Sequence, residues 1–528
     1  MNCRLVQDVL EQGAIRRPNK IALVCDGQRL TYRELDRLAT GFSNGLKRLK
    51  IQRGDRVGIF LPNSIEFVVG MFGTLKAGAV FVPIHPATKA DKLRYILNNC
   101  RATVLMADGR SESCQWMSAR ETMVPSLRCL IRCGKDSESV ESSDSSQIAF
   151  RNLIDTSTDS RTARDGEESD LACLIYTSGS TGEPKGVMSD HGNMLFASGS
   201  IISYLGTTDT DVVLNALPLS FDYGLYQVLM TFRVGATLLI EKSFTFPAAV
   251  LKTMEREGVT GFPGVPTMFG MLLQMDLSKY DLSRLRYLTN TAAALPVSHI
   301  DEIRRKFPRA TLFSMYGLTE TKRTLYLPPE ELDRRPGSVG IAIPGTEAWI
   351  EGEDGRRLGP DEVGELVVRG RHVMRGYWEE PALSARRFRD HPEPSQRVCC
   401  SGDLFKQDAE GFFYFVGRKD DIIKSRGEKV APREVENVLY ALPGVLEAAV
   451  VGIPDSLLGQ AVKAFVVVKD PSVTTQIILA HCRRNLEDLM VPKHLELRPE
   501  LPKSSNGKID KRRLVAGNEP SNSSDNLK

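Results

Sequence analysis

Hydrophobic positions in the first 135 residues switch between two periods. At Leu30-Thr31-Tyr32-Arg33-Glu34-Leu35 a threonine precedes a glutamate by three residues, and apolar residues then recur at helical spacing through Leu46. This pattern predicts a helix opened by a capping box, in which hydroxyl and carboxylate each satisfy an orphan backbone N–H. Arg56-Val57-Gly58-Ile59-Phe60-Leu61 is short and apolar, as a strand covered on both faces must be. A second helix is expected from about Ile65 to Ala77, and a strand at Val80-Phe81-Val82-Pro83-Ile84. Helix and strand in alternation predict a layered α/β domain with a largely parallel sheet.

Residues 134–170 are rich in Ser, Asp, Glu, Arg and Thr and read as a mobile surface connection. Beyond them the α/β pattern resumes, with a strand expected over Val212 to Leu219 and strand-to-loop crossings at Thr260 to Thr267 and Arg286 to Leu295. From Glu347 to Gly370 the pattern turns strand-rich, and Asp354-Gly355 between apolar stretches is a hairpin signal. A smaller unit follows: a helix opened by Pro432 with Val435, Val438, Leu439 and Leu442 as its apolar stripe, strands at Ala448 to Gly452 and Ala464 to Val468, and a helix from about Thr475 to Asp488. The polar stretch from Val515 to Lys528 is expected to be disordered.

At 528 residues the chain is long enough for about three domains or subdomains. Lys+Arg 69 against Asp+Glu 66 leaves a net charge of +3, too balanced to favour nucleic acid or an anionic membrane surface. The 10 cysteines show no CxxC pair and read as reduced packing thiols of a cytoplasmic protein. The N-terminal residues have no long apolar core, so no secretory signal is expected. The most apolar region, Val57 to Pro86, is interrupted by Asn63, Glu66 and Lys76, which argues against stable membrane insertion.

The chemistry concentrates in a few loops. An apolar strand at Leu174-Ile175-Tyr176 runs into Thr177, Ser178, Gly179, Ser180, Thr181 and Gly182, and the loop ends at Lys185. Glycines let backbone N–H groups approach an anion, hydroxyls add donors, and lysine adds a point charge. Gly186 stands where the common nucleoside-triphosphate loop needs Ser or Thr, and by composition alone the stretch is equally a linker. Ser220-Phe221-Asp222-Tyr223 follows a strand and reads as a cap or turn. Thr291-Ala292-Ala293-Ala294 suits tight packing, and Tyr316-Gly317-Leu318-Thr319-Glu320 an exposed turn.

In the order in which they stand, these segments closely resemble the signatures of adenylate-forming enzymes: acyl-CoA synthetases, luciferases and peptide-synthetase adenylation domains. Leu75 to Pro86, the 174–187 loop, Thr311 to Thr321, Cys400-Ser401-Gly402-Asp403-Leu404, Gly417 to Gly427 and Pro502 to Asp510 carry the likeness, which spans nearly the whole chain. The resemblance implies an α/β fold: a large N-terminal domain over 1–418, built of layered α/β subdomains and a β-rich one, and a small mobile α+β domain over 419–514. It implies activation of a carboxylic acid by ATP to an acyl-adenylate, and transfer to a thiol of CoA or of a phosphopantetheine on a separate carrier protein.

By the same resemblance Thr177, Ser178 and Lys185 with the loop hydroxyls hold the departing pyrophosphate, Ala292, Ala293 and Tyr316 lie against adenine, and Gly317 and Thr319 border the phosphates. Glu320 is the Mg2+ ligand, Asp403 and Arg418 meet the ribose, Asp420 is the hinge, Gly427 lies on the pantetheine path, and Lys508 is the catalytic lysine. Phe221, Asp222, Met315 and Arg323 would line the acid pocket. In amino-acid-activating relatives the aspartate matching Asp222 pairs with the substrate amine, which keeps open a freestanding adenylation enzyme for an amino or aryl acid. Lys322 and Arg323 depart from the commonest pattern; they meet an acidic or polar substrate end, or form a structural ion pair. A catalytically silent nucleotide-binding relative is a third reading, disfavoured by the joint presence of Thr177, Lys185, Glu320, Asp403 and Lys508.

Overall fold

The structure, a computed structural model, describes residues 3–108, 120–134, 146–154, 166–178, 183–293, 295–393, 396–425, 428–455, 458–504 and 507–516. Much of the 134–170 connection, loop residues Gly179, Ser180, Thr181 and Gly182, the Ser178 side chain, Ala294, Gly427 and residues 517–528 lie outside that description. Val515 and Ala516, expected in the polar tail, instead close a short helix, Lys511–Ala516, anchored by the buried Leu514.

Two large sheets carry the first 342 residues. In one, the strands Gln147–Ala149, Cys129–Cys133, Ala102–Asp108, Arg56–Phe60, Val80–Pro83 and Leu171–Ser178 run parallel, and Pro184–Asp190 closes the edge antiparallel. In the other, parallel strands Ile21–Cys25, Thr237–Ile240, Val212–Asn215, Gly261–Gly264, Tyr287–Asn290 and Thr311–Tyr316 form the centre, with antiparallel strands at both edges.

Helices fill the space between these sheets. The helix Tyr32–Arg48 opens with the expected capping box, Thr31 and Glu34 each bonding the other's backbone N–H. The Tyr32 hydroxyl, buried beneath it, donates to the Ala236 carbonyl at 2.6 Å. The helix Asp222–Val234 is buried along nearly its whole length, so polar groups on it must find partners within the protein.

The strand expected over Val212 to Leu219 stops at Asn215. Pro218 has no N–H for a ladder, and the Asn63 side chain takes over its neighbours, donating to Leu217 O at 3.0 Å and accepting from Leu219 N at 2.9 Å. The chain is thereby released from the sheet just before Phe221 and Asp222.

An antiparallel five-stranded sheet follows, in which Glu347–Glu351 and Gly364–Gly370 form the hairpin foreseen around Gly355, whose φ of +80° glycine accommodates without cost. A fourth sheet, from Ile423 onward, holds Val445–Asp455 and Gly459–Val468 as its longest pair, covered by helices Pro432–Ala441 and Thr475–Asn485. Cys25, Cys100, Cys133, Cys173, Cys399 and Cys482 pack in the cores. Among the described residues no helix is long and apolar enough to cross a membrane.

Candidate active site

The strands Leu171–Ser178 and Pro184–Asp190 pair in antiparallel register, which sets Thr177 directly opposite Lys185. The two strands flanking the glycine-rich loop thus carry a hydroxyl and an amine side by side. Behind it, Trp378 N donates to Gly186 O at 2.7 Å and Met188 N to Gly376 O at 3.0 Å, fastening the 376–378 segment to the hairpin. Tyr377 on that segment lies with its ring 5.9 Å from the Lys185 amine and donates its hydroxyl to Glu320 Oε1 at 2.6 Å. One tyrosine thus ties the lysine hairpin to the acid.

Glu320 stands at the end of a tight turn after the strand Thr311–Tyr316. Thr324 N returns to Tyr316 O at 2.9 Å, and an added Cβ on Gly317 would fall 1.8 Å from the Lys322 carbonyl oxygen, so only glycine fits there. Lys322 adopts φ +55°, a left-handed conformation uncommon for a side-chain-bearing residue, and it turns both Lys322 and Arg323 inward. Ala292 is likewise left-handed, at φ +77°, and Asn290 Nδ2 braces that bend by donating to Ala293 O at 3.0 Å.

Tyr316 and Arg418 converge on Asp403. The Tyr316 hydroxyl donates to Asp403 Oδ2 at 2.6 Å and Arg418 Nε to Oδ1 at 3.0 Å. Burial, then the Asp403 charge, raise the Tyr316 phenol well above its ordinary pKa, so it remains a donor. A carboxylate offers about four acceptor positions, so capacity remains on Asp403 for a diol. Just beyond, Lys419 N bonds Gly402 O at 2.9 Å and Lys419 Nζ lies 3.3 Å from Glu365, which fixes the chain up to Asp420. Arg387 also reaches this region. Burial opposes its charge, but Glu320, Tyr377 and Asp403 nearby raise its pKa above the ordinary arginine value, and its guanidinium occupies the space a side chain at Gly402 would need.

Lys508 is presented by a loop closed on itself: Ser504 N bonds Lys508 O at 2.7 Å, and Lys503 bridges to Ile509. Gly507 next to it rests against Thr267 and Val265 of the large body. Lys508 itself is exposed to solvent. Desolvation pushes its amine down to about 8, and Arg418 and Arg323 push the same way, while Asp403 and Glu320 oppose them. Those four charges come from the other side of the cleft, which places the amine among the Tyr316–Glu320 turn, Asp403 and Arg418.

The acid-pocket residues also converge, with one change of meaning. Asp222, buried at the first turn of its helix, forms an ion pair with Lys322 Nζ at 2.8 Å and accepts from Arg323 Nη1 at 3.4 Å. The expectation that Asp222 waits for a substrate amine gives way to an internal ion triad, because both carboxylate oxygens already face cations. Arg323 lies 4.5 Å over the Tyr223 ring, Phe221 meets that ring edge-on, and the Tyr204 hydroxyl donates to Met315 Sδ at 2.9 Å.

Sequence reasoning missed Tyr377, Arg387, Tyr223 and Asn290. An Arg-Gly-Tyr-Trp run marks the first only as a turn, and Arg387 sits in a helix that reads as solvent-facing, so neither carried a usable signal.

The arrangement can hold a polyphosphate between Lys185 and Lys508, a nucleoside at Asp403 and an acid near Arg323. Two family models match the chain in succession: AMP-binding enzyme over residues 10–378, and AMP-binding enzyme C-terminal domain over 434–508. A long-chain-fatty-acid–CoA ligase of Bacillus subtilis is 32% identical, the match covering 97% of this chain and 94% of that protein. A feruloyl-CoA synthase of an Amycolatopsis species is 34% identical over 93% of this chain and 94% of its own. An anthranilate CoA ligase solved in complex with anthranoyl-AMP superposes with a TM-score of 0.87 at 27% identity, covering 97% of each chain. With both family models matched in order and full-length relatives above 30% identity, this chain belongs to the adenylate-forming AMP-binding enzymes.

Proposed function

We propose that this protein is an AMP-forming acid–thiol ligase of the acyl-CoA synthetase type, with CoA as the acceptor. The observation that carries the reading is the gathering of Lys508, Asp403, Glu320 and Arg418 from both sides of one cleft. In the first step a carboxylate oxygen attacks the α-phosphorus of ATP and pyrophosphate leaves. In the second a thiol attacks the acyl carbon and AMP leaves, giving a thioester.

Asp403 accepts from the ribose hydroxyls, with Tyr316 and Arg418 holding it in place. Lys185 and Thr177 steady the pyrophosphate as it departs. Lys508 lies between the acid and the α-phosphate, where its charge offsets the negative charge that grows as the new bond forms. Glu320 would hold a magnesium ion: it is a hard oxygen donor, and the Tyr377 hydroxyl donates to Oε1, so Oε2 can serve as the ligand. When bound, the ion neutralises charge on the triphosphate. Rotation about Asp420 would then withdraw Lys508 and admit the thiol.

The reading is tested by ATP–pyrophosphate exchange with a panel of fatty, aryl, amino and dicarboxylic acids, followed by addition of CoA. Exchange with at least one class and thioester formation on CoA are expected. No exchange with any acid overturns the reading, and loading of a phosphopantetheinyl carrier protein but not CoA moves it to the freestanding adenylation alternative.

The Lys508 amine gives a pH signature. Its pKa lies below the ordinary lysine value, at about 8, so the protonated form is complete well below that pH and is lost as pH rises through it. The kcat/KM of adenylation, which reports the free enzyme, should therefore decline above pH 8. Lys508→Arg should abolish that limb, and a profile that stays flat to pH 10 in the wild type would remove Lys508 from the charged role.

A further inference from the structure

The triad under the acid pocket does not balance. Lys322 and Arg323 bring two positive charges and Asp222 one negative charge into a region where the three side chains are 0%, 4% and 4% exposed. Lys322 is satisfied: its amine meets Asp222, donates to Ser189 Oγ at 3.2 Å and lies 5.6 Å from the Tyr226 ring. Arg323 is not. One nitrogen, Nη1, meets Asp222, and the guanidinium face lies over Tyr223, but Nε and Nη2 are buried with no hydrogen-bond partner. Asp190 is another acid in this region. It caps its own helix by accepting from Asn193 N at 2.7 Å and faces Arg375 and Arg397, so it is taken up elsewhere.

A buried cation without a counter-charge is costly, and guanidinium groups pair best with a planar, two-oxygen anion. Arg323 also lies close enough to Lys508 for each charge to be felt by the other. It also packs on Tyr223, and its charge reaches the Tyr204 phenol as well.

Resting on the ligase reading above, we infer that the substrate is a compact acid with a second anionic group, a short dicarboxylate or a single-ring diacid. One carboxylate reacts beside Lys508 and the other docks on Nε and Nη2 of Arg323. The distal group supplies the missing negative charge and the missing acceptors together. Tyr223 backs the guanidinium at 4.5 Å, with its own hydroxyl fixed on Thr289 O at 2.7 Å.

The test is ATP–pyrophosphate exchange on the wild type with succinate, glutarate and phthalate, each beside its monomethyl ester, and with butyrate and benzoate. The best diacid should exceed its ester by about 10- to 100-fold in kcat/KM, as expected for a charge-assisted pair. Arg323→Gln should collapse that ratio mainly through KM, and Arg323→Lys should restore part of it. Because Arg323→Gln disturbs a buried pair, melting of the wild type is read as well, and the diacid should raise the melting temperature above its ester. Equal rates for diacid and ester, or a ratio unchanged in Arg323→Gln, overturn the inference. Exchange only with neutral-tailed acids overturns it and leaves the ligase reading standing; no exchange with any acid overturns both.

Discussion

Lys508→Ala is expected to lower ATP–pyrophosphate exchange by about 10²- to 10³-fold, the loss typical when a preorganised group is removed from a developing charge. The position of the amine is the cause. It lies among Arg418, Asp403, Glu320 and Arg323 while its own loop belongs to the smaller sheet region, so it contributes charge to a site it does not otherwise build. Alanine leaves the closed 502–510 loop intact, since that loop is held by backbone bonds. The second half-reaction, started from synthetic acyl-adenylate and CoA, should consequently lose far less than the first. Equal losses in both halves would mean that Lys508 supports the fold and not the chemistry.

Asp222→Asn carries the second large effect, this time on stability. It would leave Lys322 and Arg323 buried with no anion, a loss of about 3–5 kcal/mol by comparison with other broken buried pairs. Thermal melting without ligands measures it directly. The two roles considered for Asp222 separate cleanly: a receptor for a substrate amine would tolerate asparagine with an unchanged melting temperature and lose only amino-acid activation. The triad predicts the reverse order, with the melting temperature falling first.

How much of this was visible in the chain depends on the range over which the interactions act. The capping box at Thr31 and Glu34 was legible because both partners lie within one helical turn. Parallel layering followed from apolar strands too short and too uniform for helices. The loops were legible as chemistry through residue order, and their meeting followed from the family likeness, not from spacing.

The Asp222 triad was legible only as alternatives, because its partners stand about a hundred positions apart and a Lys-Arg pair after a turn looks solvent-exposed. What turned it inward is the left-handed backbone at Lys322 packed on Gly317, a steric fact with no signature in composition. The strand end at Asn215 escaped for a similar reason, since Asn63, far upstream, supplies the bonds that Pro218 cannot.

The Asp403 carboxylate grips Arg418 on one oxygen, and the next residue, Lys419, is pinned to Gly402 and Glu365. The proposed pivot at Asp420 lies one step beyond a clamp that shares its carboxylate with the expected ribose, inside a turn closed by Asp421 N on Arg418 O at 3.0 Å. Were the small domain to turn there, nucleotide occupancy and domain orientation would act on one carboxylate, and linkage would require each to change the other's equilibrium by the same factor. Such a joint would release AMP more readily in one orientation than in the other, so that emptying the nucleotide site and resetting the small domain become a single event in the catalytic cycle.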